Sequence, residues 1–114
     1  MEELNMIVTT TERIAHHEIV ETLGTAFGVV VRARGIGGDI MASLKGLVGG
    51  EVTQYTQMIE DARRQAMDRM TANAHAMGGD AIIMMRFDSG DVGQNMSEIV
   101  AYGTVVRLKR VSSS

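Results

Sequence analysis

The sequence predicts an α+β fold, a β-α-β-β two-layer sandwich with one long helix laid on a three-stranded, mainly antiparallel sheet. Three observations carry this. The stretch Val52 to Asp80 repeats apolar residues at steps of three and four. Runs rich in β-branched residues flank it on both sides. Glycines stand at the joints between these runs, where a chain has to turn.

In chain order, residues 1–6 read as a frayed end, and Met6 to Thr10 as a short edge strand. Thr11-Glu12-Arg13 reads as a turn. His16 to Arg32 reads as a long strand. Ile19, Leu23, Phe27, Val29 and Val31 lie on one side of it, with Glu21 and Thr25 among them. Val20, Thr22, Gly24, Ala26, Gly28 and Val30 lie on the other. The small residues at 24, 26 and 28 invite close approach of another backbone or a helix, and so long a strand implies a bulge or bend. A glycine-rich connection, residues 33–38, leads to a short helix, Ile40 to Val48, with Asp39 as its N-cap and Gly49-Gly50 at its end.

The long helix spans Gln54 to Met77, which is ~36 Å at the α-helical rise. Tyr55, Ile59, Ala62, Ala66, Met70, Ala74 and Met77 form its apolar stripe. Thr53 is the expected N-cap, Gly78 the left-handed residue that ends the helix, and Glu60 and Arg64 an i,i+4 ion pair. Asp80 to Asp88 is the next strand, Ser89 to Met96 a loop, and Ser97 to Lys109 the last strand. Val111 to Ser114 forms a tail. A helical crossover returns the chain parallel to the first long strand. The final strand then inserts between the other two, giving the order 1-3-2.

Both faces of the later strands are apolar: Ile83, Met85 and Phe87 against Ile82 and Met84, and Val100, Tyr102, Val106 and Leu108 against Ile99, Ala101 and Val105. One helix covers one face of a sheet. The other face calls for a second copy of the chain.

The 114 residues suit a single domain, 1–114. Hydrophobic residues at 45% and charged residues at 22% are a globular composition. A net charge of −3 without a basic face argues against nucleic-acid binding, Arg107, Lys109 and Arg110 being too few. No apolar run reaches the ~18 residues of a membrane span. Met1-Glu2-Glu3 has the wrong charge for a signal peptide, so the expected location is the cytoplasm. The absence of cysteine excludes disulfides and thiolate metal sites.

Three segments resemble the YbjQ-like family of small prokaryotic proteins. The first is Asp39-Ile40-x-Ala42-x-Leu44-Lys45-x-Leu47-Val48-Gly49-Gly50-Glu51. The second is Tyr55, Ala62-Arg63, Ala66, Met70, Ala74 and Gly78-x-Asp80-Ala81. The third is Glu98-Ile99-x-Ala101-Tyr102-Gly103-Thr104-x-Val106. Ile7 to Thr10 and Gly28 also fit. Gly79 departs from the alanine or similar small residue usual there, with no functional consequence. The resemblance implies a dodecin-subunit-like sandwich and a homopentamer. It also implies heavy-metal binding, a description resting on structural similarity rather than on established chemistry. It brings no catalytic residues.

The residues themselves assign no catalytic, cofactor or metal site. His16 and His17 are adjacent and on a strand point to opposite faces, so they share no ion without an irregular backbone. His75, near the helix end, is a dipole partner or a solvated residue. The ten methionines fall on faces that need filling, and core packing explains them better than soft-metal ligation. Gly35, Gly37 and Gly38 precede an N-cap, but no P-loop lysine follows and Asp39 repels an anion. Asp88, Asp91 and Asn95 are read as solvated loop residues, and Ser89 and Ser97 have no identifiable histidine partner. The expected function is therefore a non-enzymatic, homo-oligomeric binding module without a cofactor. The alternative is an enzyme with its site between subunits, which requires a deep inter-subunit pocket with convergent polar residues.

Overall fold

The computed structural model describes residues 6–33, 53–93 and 96–111. Its elements are β1 (Ile7–Val8), β2 (His17–Ala33), α1 (Thr53–Ala76), β3 (Ala81–Val92) and β4 (Met96–Arg110). The short helix expected at Ile40 to Val48, with Asp39 and the glycines before it, lies outside the described residues, as does the tail from residue 112.

The sheet has four strands in the order β1-β3-β4-β2. The three long strands keep the expected arrangement, with the last central and antiparallel to both neighbours. The short edge strand expected from Met6 to Thr10 is present as β1, which pairs parallel to β3 at the outer edge and, among the described residues, makes the expected three-stranded sheet four-stranded. Two residues suffice because the chain beyond them continues the ladder. Thr9 N donates to Ile82 O (2.9 Å), and Thr9 O accepts from Met85 N (2.9 Å).

The hairpin is also longer than expected. β3 runs on to Val92, and Asp91 and Val92 pair with Ser97 and Met96. Residues 89–92 are thus strand rather than loop. Cross-strand pairing overrides the turn preference of Ser89, Gly90 and Asp91.

The helix bounds differ from the expected ones by one residue at each end. Gly78 has φ +86°. Gly78 N donates to His75 O (2.9 Å) and Gly79 N to Ala74 O (3.1 Å). These two bonds form a Schellman motif, in which the positive-φ glycine turns the chain out of the helix. The side chain of Thr53, expected to cap the other end, lies outside the described residues. Arg64 pairs with Asp61 (3.6 Å) rather than with Glu60. Both partners are exposed, so the pair contributes little.

Ala62, Ala66, Met70 and Ala74 form the buried stripe of α1, packed on Ala26, Val30, Ile82, Met85, Ala101 and Val105. The helix presents mostly alanine, so its backbone comes close to the sheet. A Cβ on Gly28 would overlap the Ala66 carbonyl oxygen and the Met70 amide nitrogen. Gly28 is the small residue on which the helix rides.

Bulges change which residues share a face. The β2–β4 register shifts between Ile19 and Glu21 and again between Thr22 and Gly24. Leu23, expected beside Phe27, therefore packs against the core, and Val20 is exposed. In β3 the register shifts between Ile83 and Arg86, where Met84 takes φ +54°. Ile82 thereby joins Met85 and Phe87 on the helix side, although strict alternation separates them.

Candidate functional site: the open face of the sheet

The face of the sheet away from α1 starts at β2. Ala26, Gly28 and Val30 lie under the helix, so Phe27, Val29 and Val31 point the other way. Phe27 is 53% exposed and Val31 50%. On β4, Ala101, Gly103 and Val105 are buried, leaving Val100, Tyr102 and Thr104 opposite them. Ladder pairs join the two rows, Phe27 with Tyr102 and Val29 with Val100. The Phe27 and Tyr102 rings stand 6.3 Å apart, tilted by 32°. Phe27, Val29, Val31, Val100 and Tyr102 thus form one contiguous, half-open apolar patch. A sheet face in contact with water alternates to polar residues, and here valine and phenylalanine occupy those positions.

The histidines sit away from this patch. His17 opens β2, whereas His16 precedes the strand with φ +66°. The strand alternation expected for the pair therefore applies only to His17. Its Nδ1 lies 2.8 Å from Ala15 O, which sets that nitrogen as the donor and leaves Nε2 as the basic one. His17 lines an open cleft of about 530 Å³ with Arg13, Ile14, Glu18, Ile19 and Val111. His75 is exposed in the last turn of α1. Among the described residues, no three histidine, aspartate or glutamate side chains are grouped so that they could hold a metal ion.

Asp88 and Asp91 both line an open cleft of about 570 Å³ between α1 and the β3–β4 hairpin, with Arg63, Phe87, Ser89, Ser97 and Glu98. They lie on β3 rather than in a loop, and Asn95 is outside the described residues. The Arg63 guanidinium lies 5.2 Å from the Phe87 ring centre, a cation–π contact. Asp88 Oδ1 accepts from Ser89 N (2.9 Å). The hydroxyls of Thr9, Thr11 and Thr71 each donate to a backbone carbonyl two or three residues away. Among the described residues, no polar or charged side chain is buried.

Three polar contacts escaped the sequence reading. Gln65, Arg69 and Asn73 recur every four residues beside the buried stripe of α1. Arg32 Nη2 donates to Gln65 Oε1 (3.3 Å), Arg69 Nη1 to Val29 O (2.5 Å) and Asn73 Nδ2 to Phe27 O (2.7 Å). Their spacing was the available signal. Nothing local showed that backbone carbonyls were the partners.

Fold and surface together define a small two-layer α+β protein with a covered face and an open apolar face. Comparison with known proteins narrows that class. The model of the YbjQ family, described as "putative heavy-metal-binding", matches residues 6–109, and the chain belongs to this family. It is 61% identical to a UPF0145 protein of Bradyrhizobium sp. strain ORS 278, over 94% of this chain and 96% of that one. It is 47% identical to a UPF0145 protein of Saccharolobus islandicus, over 96% of each chain. A crystal structure from Pediococcus pentosaceus, a DUF74-family protein of unknown function, superposes with a TM-score of 0.60 at 18% identity. It covers 91% of this chain and 98% of that one, and it supports the fold. Among the described residues, no helix is long and apolar enough to cross a membrane.

Proposed function

We propose that this protein is a non-enzymatic binding module that works as a homo-oligomer, its copies joined through the open face of the sheet. The observation that carries the reading is the patch of Phe27, Val29 and Val31 on β2 against Val100 and Tyr102 on β4. Phe27 and Val31 are each half exposed. Leaving such a patch in water costs the chain the stabilisation that burial provides, about 25 cal/mol per Å² of apolar surface. A second copy recovers it. Five copies is the number that the resemblance to the YbjQ-like family implies, and a heavy-metal ion is the ligand class its description suggests.

A metal in such an assembly would need donors from several copies, because the described residues of one chain group too few. His17, with Nε2 as its basic nitrogen, is the donor best prepared for that role. Native mass spectrometry of the purified protein tests both parts together. The expected spectrum shows a closed oligomer of about five chains. A spectrum of single chains at micromolar concentration would end the oligomer reading.

A further inference from the structure

We infer that Arg69 and Asn73 close the outer edge of β2 against strand pairing with a second copy of this chain. Among the described residues, β2 is the terminal strand of the sheet, and one side of its backbone has no ladder partner there. Such an edge is a template for another strand. This one is well suited to pairing with its own copy. Residues 22–31, Thr-Leu-Gly-Thr-Ala-Phe-Gly-Val-Val-Val, carry no charge and no proline, and they end in a β-branched run.

The protection is found within that run. The Phe27 and Val29 carbonyls, which point to the free side, accept from Asn73 Nδ2 (2.7 Å) and Arg69 Nη1 (2.5 Å). The spacings match. Alternate residues of a strand are about 6.7 Å apart, and residues four apart on a helix rise about 6 Å, so successive helical turns reach successive edge carbonyls. Gly28, between the two carbonyls, lets the helix backbone approach closely enough for those side chains to reach. The opposite edge, on β3, is covered by other means from Ala81 to Met85. β1 pairs with it, and Arg86 Nη1 donates to Thr10 O (3.1 Å). The inference concerns a different surface from the one proposed above, and it stands whether or not the open face pairs.

The test compares the parent with the double variant Arg69→Ala, Asn73→Ala. In an antiparallel strand the N–H and C=O of one residue point the same way. The Phe27 and Val29 amides of the parent therefore exchange with solvent deuterium much faster than those of Gly28 and Val30, which face β4. In the double variant the mass by light scattering rises at least about twofold over the parent's, whatever that is, as β2 edges pair. The Phe27 and Val29 amides become protected at the same time. Slow exchange at Phe27 and Val29 in the parent would overturn the inference without any variant, because the edge would already be paired. A folded double variant with the parent's mass and fast-exchanging amides would overturn it as well.

Discussion

The two faces of the β2–β4 ladder are both apolar, yet they are built differently. On the covered face, β2 contributes Ala26, Gly28 and Val30, and α1 contributes three alanines and Met70. Small residues meet small residues, and two backbones come together. On the open face the same strand carries Phe27, Val29 and Val31, with Tyr102 beside Phe27. Hydropathy alone does not separate the faces, but residue size does. Small side chains mark the face that packs against a partner within the chain. Large ones mark the face that, in the function proposed above, takes its second layer from another copy.

Substitutions on the two faces sharpen this contrast. Met70 is fully buried at the centre of the covered layer. Met70→Ala should cost about 3 kcal/mol in denaturant unfolding, from lost transfer energy plus the cavity left behind. A cost below about 1 kcal/mol would mean that the helix is loosely seated there. Gly28→Ala tests close approach rather than filling. Its Cβ has no room against the backbone of α1, and a loss of about 2 kcal/mol is expected in chemical denaturation. A neutral result would mean that the helix rides higher on the sheet.

Gly78 marks the point where the chain leaves the helical layer for the sheet. Around it there is space, the nearest atom to an added Cβ being Arg107 Nη1 at 4.0 Å. The penalty for Gly78→Val is therefore one of backbone strain at φ +86°. It should exceed about 1 kcal/mol and appear as a lowered melting temperature. An unchanged melting temperature would separate the helix end from the stability of the covered layer. The smallest effect concerns metal. Excess chelator should leave the melting temperature unchanged, because packing holds the covered layer and, among the described residues, no three metal-ligating side chains are grouped. A large drop would move the account towards a structural metal shared between copies. Zinc titration of a His16→Ala, His17→Ala variant against the parent would then locate it.

Much of this fold is legible in the sequence because periodicity is a local signal. The stripe Ala62, Ala66, Met70 and Ala74 announces the helix and its buried side, and Gly78 announces its end. The bulges are not local signals. Met84 takes a positive φ, and Leu23 turns to the core, because the partner strand dictates where register is lost. β1 falls within the expected edge strand, but its seat beside β3, held by the hydrogen bonds of Thr9 with Ile82 and Met85, is a long-range contact that the local sequence does not foretell. The open face could be anticipated from apolar residues on both sides of the later strands. The capping of β2 by Arg69 and Asn73 could not, since nothing local marks the Val29 and Phe27 carbonyls as their partners.

The central claim is that the open face is a surface between copies. Its most direct test is light scattering of the parent beside Phe27→Asp. A carboxylate in the middle of that patch has no partner once a second copy covers it, and burying it unpaired is costly. On the isolated chain the same side chain faces water and costs little. The account predicts a parent of about five chain masses and a variant of one, with the same circular dichroism in both. A parent that runs as a single chain would contradict it. So would a Phe27→Asp variant that keeps the parent's full mass.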